Sequence, residues 1–365
     1  MKHLDEYRDA DLCRQLSRHI ARVADGREIT LMEVCGTHTM AIFQYGINDL
    51  LPDNIRLLSG PGCPVCVTPN EYLDRAVAYC RQEGVWVATF GDMLRVPGSR
   101  SSLVRERGAG GRVRLVYSPD DALELARQLP DQQIVFLGIG FETTSPLVAA
   151  VLADARRRKI ENFFVLAGNK ILPPALRALV DDEGLDLQGL ICPGHVSAVT
   201  GMGIYEFLAR DHGIACVISG FEPTDILQSI LMLIAQILEE RPGVENQYRR
   251  VVPAEGNPRA RELIEEVFQP GESVWRGMGS IPDSGLFIRP AYQDHDAAAA
   301  LPVEVEPPIE HPGCICGQIL RGRKRPPDCG LFAGTCTPEH PVGACMVSSE
   351  GTCAAQYRYR RHETN

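Results

Sequence analysis

Seven short apolar runs that alternate with helical patterns constrain this chain more than any other feature. They cover residues 29–34, 55–58, 85–90, 134–137, 163–167, 190–192 and 215–218. Most are rich in Val, Ile and Leu, and they show no clear alternation of apolar and polar positions. Strands of that kind are buried on both faces, as in a parallel sheet covered by helices. Helical stretches at 70–83, 119–129, 145–159, 173–182 and 204–211 supply the crossovers. The class is α/β, built from βα units.

A weak internal repeat divides the chain further. Leu58 to Cys63 resembles Ile191 to His195: strand, Pro-Gly, then a reactive side chain. Residues 86–92 resemble 216–222, and Cys35-Gly-Thr-His-Thr39 after a strand is echoed by Gly140-Phe-Glu-Thr-Thr144. Two similar α/β domains are expected, with sites in the loops beyond the carboxyl ends of their strands. The boundaries read as an N-terminal amphipathic helix (1–24), a first α/β domain (25–118), a second (119–240), and a linker with a cysteine-rich domain (241–365). Residues 291–313, rich in Ala, Pro, Asp and Glu, read as an extended strap.

Thirteen cysteines need a reason. Residues 1–23 lack the apolar core of a signal peptide, and the most apolar segment, 226–238, is broken by Gln228, Ser229 and Gln236 and too short to span a bilayer. A cytoplasmic protein without a membrane span is expected. Disulfides are rare in that compartment, so the cysteines point to metal or redox work. The net charge of −10, without a basic run, argues against nucleic acid as a partner. Cys13, Cys80, Cys192 and Cys216 sit singly among apolar or helical neighbours and read as small core residues.

The other nine cysteines cluster. The tail carries Cys314, Cys316, Cys329, Cys336, Cys345 and Cys353 among Gly and Pro. Thiolates serve both iron–sulfur clusters and structural zinc, and the irregular spacing does not choose between them. Gly60-Pro-Gly-Cys63-Pro-Val-Cys66 is a C-x-x-C at a glycine-rich turn: a redox dithiol or half of a zinc site. It lacks the Gly-Lys-Ser/Thr ending of a phosphate loop. Cys35-Gly-Thr-His38 offers a soft sulfur and an imidazole, suited to iron, zinc or copper, or to a nucleophile and its base. The loops at 140–144 and 193–197 read singly as turns with capped helices, Thr143, Thr144 or Ser145 serving as cap. His212, His295, His311 and His340 read as surface or loop residues.

Together these motifs resemble the hydrogenase maturation factor HypD family. The matching stretches are CGTHT (35–39), GPGCPVC (60–66), GFETT (140–144), PGHVS (193–197), GFEP (220–223) and CMVSSEGTCAA (345–355), in family order across nearly the whole chain. The resemblance implies two α/β domains and a C-terminal domain holding a [4Fe–4S] cluster. With a HypC-type partner the protein would be a scaffold for the Fe(CN)2(CO) unit of [NiFe]-hydrogenase, with cyanide from a HypE-type donor. The hydrogenase large subunit would be served indirectly. Cys35 would ligate the iron beside a HypC cysteine, with His38 as polar neighbour. Cys63 and Cys66 would be the redox pair, and Glu350 a functional carboxylate. Cys316, Cys329, Cys336 and Cys353 would hold the cluster, leaving Cys314 and Cys345 as surplus thiols. Competing readings are an iron–sulfur-dependent disulfide reductase working through Cys63 and Cys66, and a zinc-stabilised interaction protein. An ATPase activity beside the scaffold role stays open.

Overall fold

A computed structural model describes residues 5–182 and 184–359 of the chain. Its strands are, in chain order, β1 (Ile29–Glu33), β2 (Ile55–Ser59), β3 (Val85–Thr89), β4 (Val113–Leu115), β5 (Gln133–Gly138), β6 (Phe163–Ala167), β7 (Gly189–Pro193), β8 (Ala215–Ser219), β9 (Val244–Asn246), β10 (Phe268–Trp275) and β11 (Gly279–Ile288). Two sheets are parallel throughout, in the orders β2-β1-β7-β8-β9 and β4-β3-β5-β6. The α/β class follows, and the seven apolar runs are all strands. Every residue of β7 and β8 is buried. Each Val, Ile or Leu so covered contributes about 1.5–3 kcal/mol relative to exposure.

Strand membership does not follow the division at 118/119. The first sheet takes β1 and β2 from before that point and β7 to β9 from after it. The second takes β3 and β4 from before, β5 and β6 from after. The chain leaves the first sheet after β2, builds the whole second sheet, and returns through the helix Leu172–Val180. The physical reason lies in β1, whose two edges pair with different partners: Met32 is in register with Leu58 on one side and with Leu190 on the other. Parallel neighbours need not be close in sequence. The motif pair at 58–63 and 191–195 thus ends two strands that flank β1 in one sheet.

Residues beyond 241 also contribute to the α/β body. Strand β9 completes the first sheet, and the helix Pro258–Val267 packs on Ser145–Arg158. Strands β10 and β11 form an antiparallel hairpin absent from the sequence reading. Its first strand, Phe268-Gln-Pro-Gly-Glu-Ser-Val-Trp275, has no apolar run, and its burial marks only the ends. The strap starts as short helical turns (Pro290–His295 and Ala297–Ala300), then runs without regular structure to Asn70, whose Nδ2 donates to the Ile309 carbonyl at 2.6 Å. His295, expected at the surface, is buried and hydrogen-bonds the Phe163 carbonyl through Nδ1 at 2.8 Å. Cys13, Cys80, Cys192 and Cys216 are core residues, as expected. The helix at the N-terminus runs Ala10–Ala24 after a turn at Asp5–Tyr7; residues 1–4 lie outside the described residues. Among the described residues no helix is long and apolar enough to cross a membrane.

Candidate metal and thiol site

Strands β1 and β2 end together, which lays the Cys35 and Cys63 loops side by side. Gly60 N donates to the Glu33 carbonyl at 2.8 Å, and Gly36 N to the Gly62 carbonyl at 2.9 Å. A Cβ at Gly62 would stand 2.1 Å from Cys35 N, so the close approach requires glycine. Cys35 has extended backbone and is the N-cap of the helix Gly36–Gln44. Beneath it, Glu33 accepts from Cys35 N at 2.9 Å through Oε2 and from Thr39 Oγ1 at 2.5 Å through Oε1. Burial pushes the Glu33 carboxyl up to about 8, so it is neutral near pH 7. Burial, followed by the charge of Glu350, pushes the Cys35 thiol up to about 12, against the favourable amides of His38 and Thr37. A thiol so held is inert by itself. A coordinated metal ion is what would deprotonate it.

His38 comes from the same helix and is fully buried. Its Nε2 donates to the Gly220 carbonyl at 2.9 Å, which leaves Nδ1 as a lone-pair acceptor. That Nδ1 has no hydrogen-bond partner among the described residues. Burial lowers His38 to about 4, so the ring is neutral. Phe221 lies between His38 and His195, with centroids at 4.6 and 4.1 Å. Three motifs separated in sequence, CGTHT, PGHVS and GFEP, therefore share one wall. The Gly220 loop is itself held: its N–H donates to Gln247 Oε1 at 3.1 Å, and Gln247 Nε2 donates to Asp225. Arg250 makes a two-pronged pair with that Asp225 at 2.8 and 2.5 Å.

The opposite wall belongs to the tail. Glu350 Oε1 accepts from Thr37 Oγ1 at 2.7 Å, and a Cβ at Gly36 would come within 2.5 Å of Glu350 Cβ. Burial raises the Glu350 carboxyl above the usual range.

Cys63 caps the short helix Pro64–Val67, where Cys66 N donates to Cys63 Sγ at 3.3 Å. Both thiols are buried. Burial raises Cys66 well above the ordinary thiol value. The turn Ala344–Met346 packs on this helix, and hydrogen bonding from Cys316 and Cys66 lowers the Cys345 thiol to about 6. Beyond it, Cys314, Cys316, Cys329, Cys336 and Cys353 line one pocket with apolar walls that include Leu331 and Phe332. Cys314 and Cys316 are 3.3 Å apart, sulfur to sulfur. Among the described residues, no group of three or more His, Cys, Asp or Glu side chains converges as a site for a single metal ion. Donors spread around a pocket fit a cluster, in which each thiolate binds a different iron. The soft, apolar donor set fits such a group.

All the candidate residues thus fall in one region, while Glu142 of GFETT does a different task. Its Oε1 accepts from Leu172 N at 2.9 Å, at the start of the helix Leu172–Val180. The sequence reading passed over Glu33 and Phe221. Glu33 had a signal, a carboxylate closing a mostly apolar strand; Phe221 stood in GFEP, but nothing in that motif tells that its ring fills the space between two imidazoles.

Residues 11–360 match the model of a protein family described as "HypD: Hydrogenase formation hypA family". The hydrogenase maturation factor HypD of Azotobacter vinelandii is 48% identical over 369 residues, covering 99% of this chain and 97% of its own. That of Escherichia coli K12 is 43% identical over 371 residues, covering 100% of both, and that of Cupriavidus necator is 43% identical over 370.

Proposed function

We propose, since this chain belongs to the HypD family of hydrogenase maturation factors, that it is the scaffold on which the Fe(CN)2(CO) unit is assembled, together with a HypC-type partner. A HypE-type protein would deliver cyanide, and the hydrogenase large subunit would receive the product indirectly. Cys35 would anchor the iron substrate as a thiolate. His38, neutral and with Nδ1 free, would accept a hydrogen bond or proton beside it, while Glu350 supplies the nearby carboxyl. Glu33 and the Gly220 loop hold Cys35 and His38 in place.

The observation that carries this reading is the packing of the dithiol helix on the tail. Cys63 and Cys66 lie beside the Cys35 loop, their helix Pro64–Val67 packs on the turn Ala344–Met346 that carries Cys345, and Cys316 lines the tail pocket. A dithiol stores two electrons, and a [4Fe–4S] cluster in the tail pocket would supply them one at a time. Cys329, Cys336 and Cys353 would be ligands as the resemblance implies. For the fourth we favour Cys314 over Cys316, the ligand the resemblance implies; this leaves Cys316, 3.3 Å away, to relay electrons toward Cys345. Burial of both Cys63 and Cys66 weighs against the disulfide-reductase alternative, whose protein substrate would have to reach them.

Infrared spectroscopy of the anaerobically purified protein with its HypC-type partner tests the proposal. Cyanide and carbonyl bands are expected from the parent and not from Cys35→Ala. Bands that survive the substitution would remove Cys35 as the anchor, and metal analysis finding zinc without iron would remove the cluster.

A further inference from the structure

The turn between β10 and β11 carries Arg276, and it is wedged between the two redox elements. Arg276 N donates to the Val67 carbonyl at 2.8 Å, at the end of the Cys63–Cys66 helix. Its Nε donates to the Thr68 carbonyl at 2.9 Å and one Nη to Asn70 Oδ1 at 2.6 Å. On the other side the turn rests on the first tail loop: a Cβ at Gly277, where φ is +74°, would stand 2.2 Å from Gly317 Cα, one residue past Cys316. Arg276, Cys314 and Cys316 line the same cleft of about 360 Å³.

This guanidinium is only 7% exposed, yet its acceptors at hydrogen-bonding distance are neutral. The one carboxylate paired with it among the described residues is Glu310, at 3.8 Å on a side chain 57% exposed. A buried cation without a close buried anion is costly, and arginine cannot shed its proton to escape the cost. The thiols of Cys314 and Cys316 line the same cleft as its side chain. A cation in low dielectric stabilises any negative charge added nearby.

We infer that Arg276 sets the electron affinity of the cysteine-rich site, by offsetting the negative charge that an iron–sulfur group there gains on reduction. It acts through the cluster and touches no substrate, so it is a tuning residue. The inference rests on the cluster reading above. Reduction in this sense is uptake of one electron, with dithionite as donor in the test and no bond made or broken.

The test is a redox titration of the full-length protein with dithionite, followed by electron paramagnetic resonance, at low ionic strength. Arg276→Met is expected to lower the equilibrium constant for reduction about tenfold, which for one electron is about 59 mV. Arg276→Lys, which keeps the charge, is expected to stay close to the parent. Glu310→Lys, on the exposed rim, is expected to shift the potential upward, and it carries the test if Arg276→Met does not fold. An unmoved potential in Arg276→Met, or in Glu310→Lys, overturns the inference. A parent protein that holds no cluster overturns instead the reading beneath it.

Discussion

The hydroxyl of Thr37 donates to Oε1 of Glu350 at 2.7 Å, joining positions 313 residues apart. The bond fixes the tail against the Cys35 loop, and it places a carboxyl where its charge bears on the Cys35 thiol. That charge is the second cause, after burial, of the raised thiol pKa.

Replacing Glu350 with Gln removes the charge while keeping an acceptor for Thr37. The Cys35 thiol should then titrate at lower pH, seen as faster alkylation at a fixed alkaline pH in a variant whose other cysteines nearby are mapped by mass spectrometry. An unchanged alkylation profile would mean that Glu350 stays protonated beside Cys35.

Cys314 and Cys316 can be separated by substitution. Cys314→Ser is expected to lose most of the visible absorption of the thiolate-bound cluster. Cys316→Ser is expected to keep it but to block electron exchange with Cys63 and Cys66, read by thiol trapping after reduction. The reverse pattern would return Cys316 to the ligand set.

Glu33 makes stability depend on pH. Its folded pKa, about 8, lies above the ordinary 4.5, so the folded state holds a proton that the unfolded state has released between those values. Its contribution is full below about pH 4.5 and is lost as pH rises through 8, a change on the order of 5 kcal/mol. Glu33→Gln can turn its amide oxygen to Cys35 N–H and its NH2 to Thr39 Oγ1. Urea denaturation from pH 5 to 8 should show the parent losing stability relative to this variant; parallel curves would contradict the raised pKa.

Gly62→Ala has no room, because the new Cβ would meet the backbone of Val34 and Cys35. Neither element can yield without parting β1 from the dithiol loop. A loss of roughly 1–3 kcal/mol or more is expected in denaturant unfolding. Gly26→Ala, which meets nothing within 4 Å but has a φ of +72°, should cost only its backbone strain.

Much of this was legible in the chain. Burial of a strand on both faces leaves an unbroken apolar run, and the seven runs marked the strands within a residue or two at their ends. Isolated cysteines among apolar neighbours, such as Cys192 and Cys216, were core residues for the same local reason. The motif loops stood at strand ends because a glycine-rich turn after an apolar run leaves the chain few other places to go.

Local patterns, however, carry no information about partners. Whether β1 pairs with β2 alone or also with β7 depends on which edges meet after the chain has folded through the second sheet, and no periodicity records that. The same holds for chemistry. The sequence alone identified nine cysteines outside the ordinary core and a histidine beside one of them. Tertiary packing decided that the turn carrying Cys345 meets the dithiol helix, that Phe221 separates His38 from His195, and that the charge of Arg276 lies between the dithiol helix and the tail loop. Each of these is a contact between segments far apart in sequence, settled by close packing and by the need to satisfy buried polar groups.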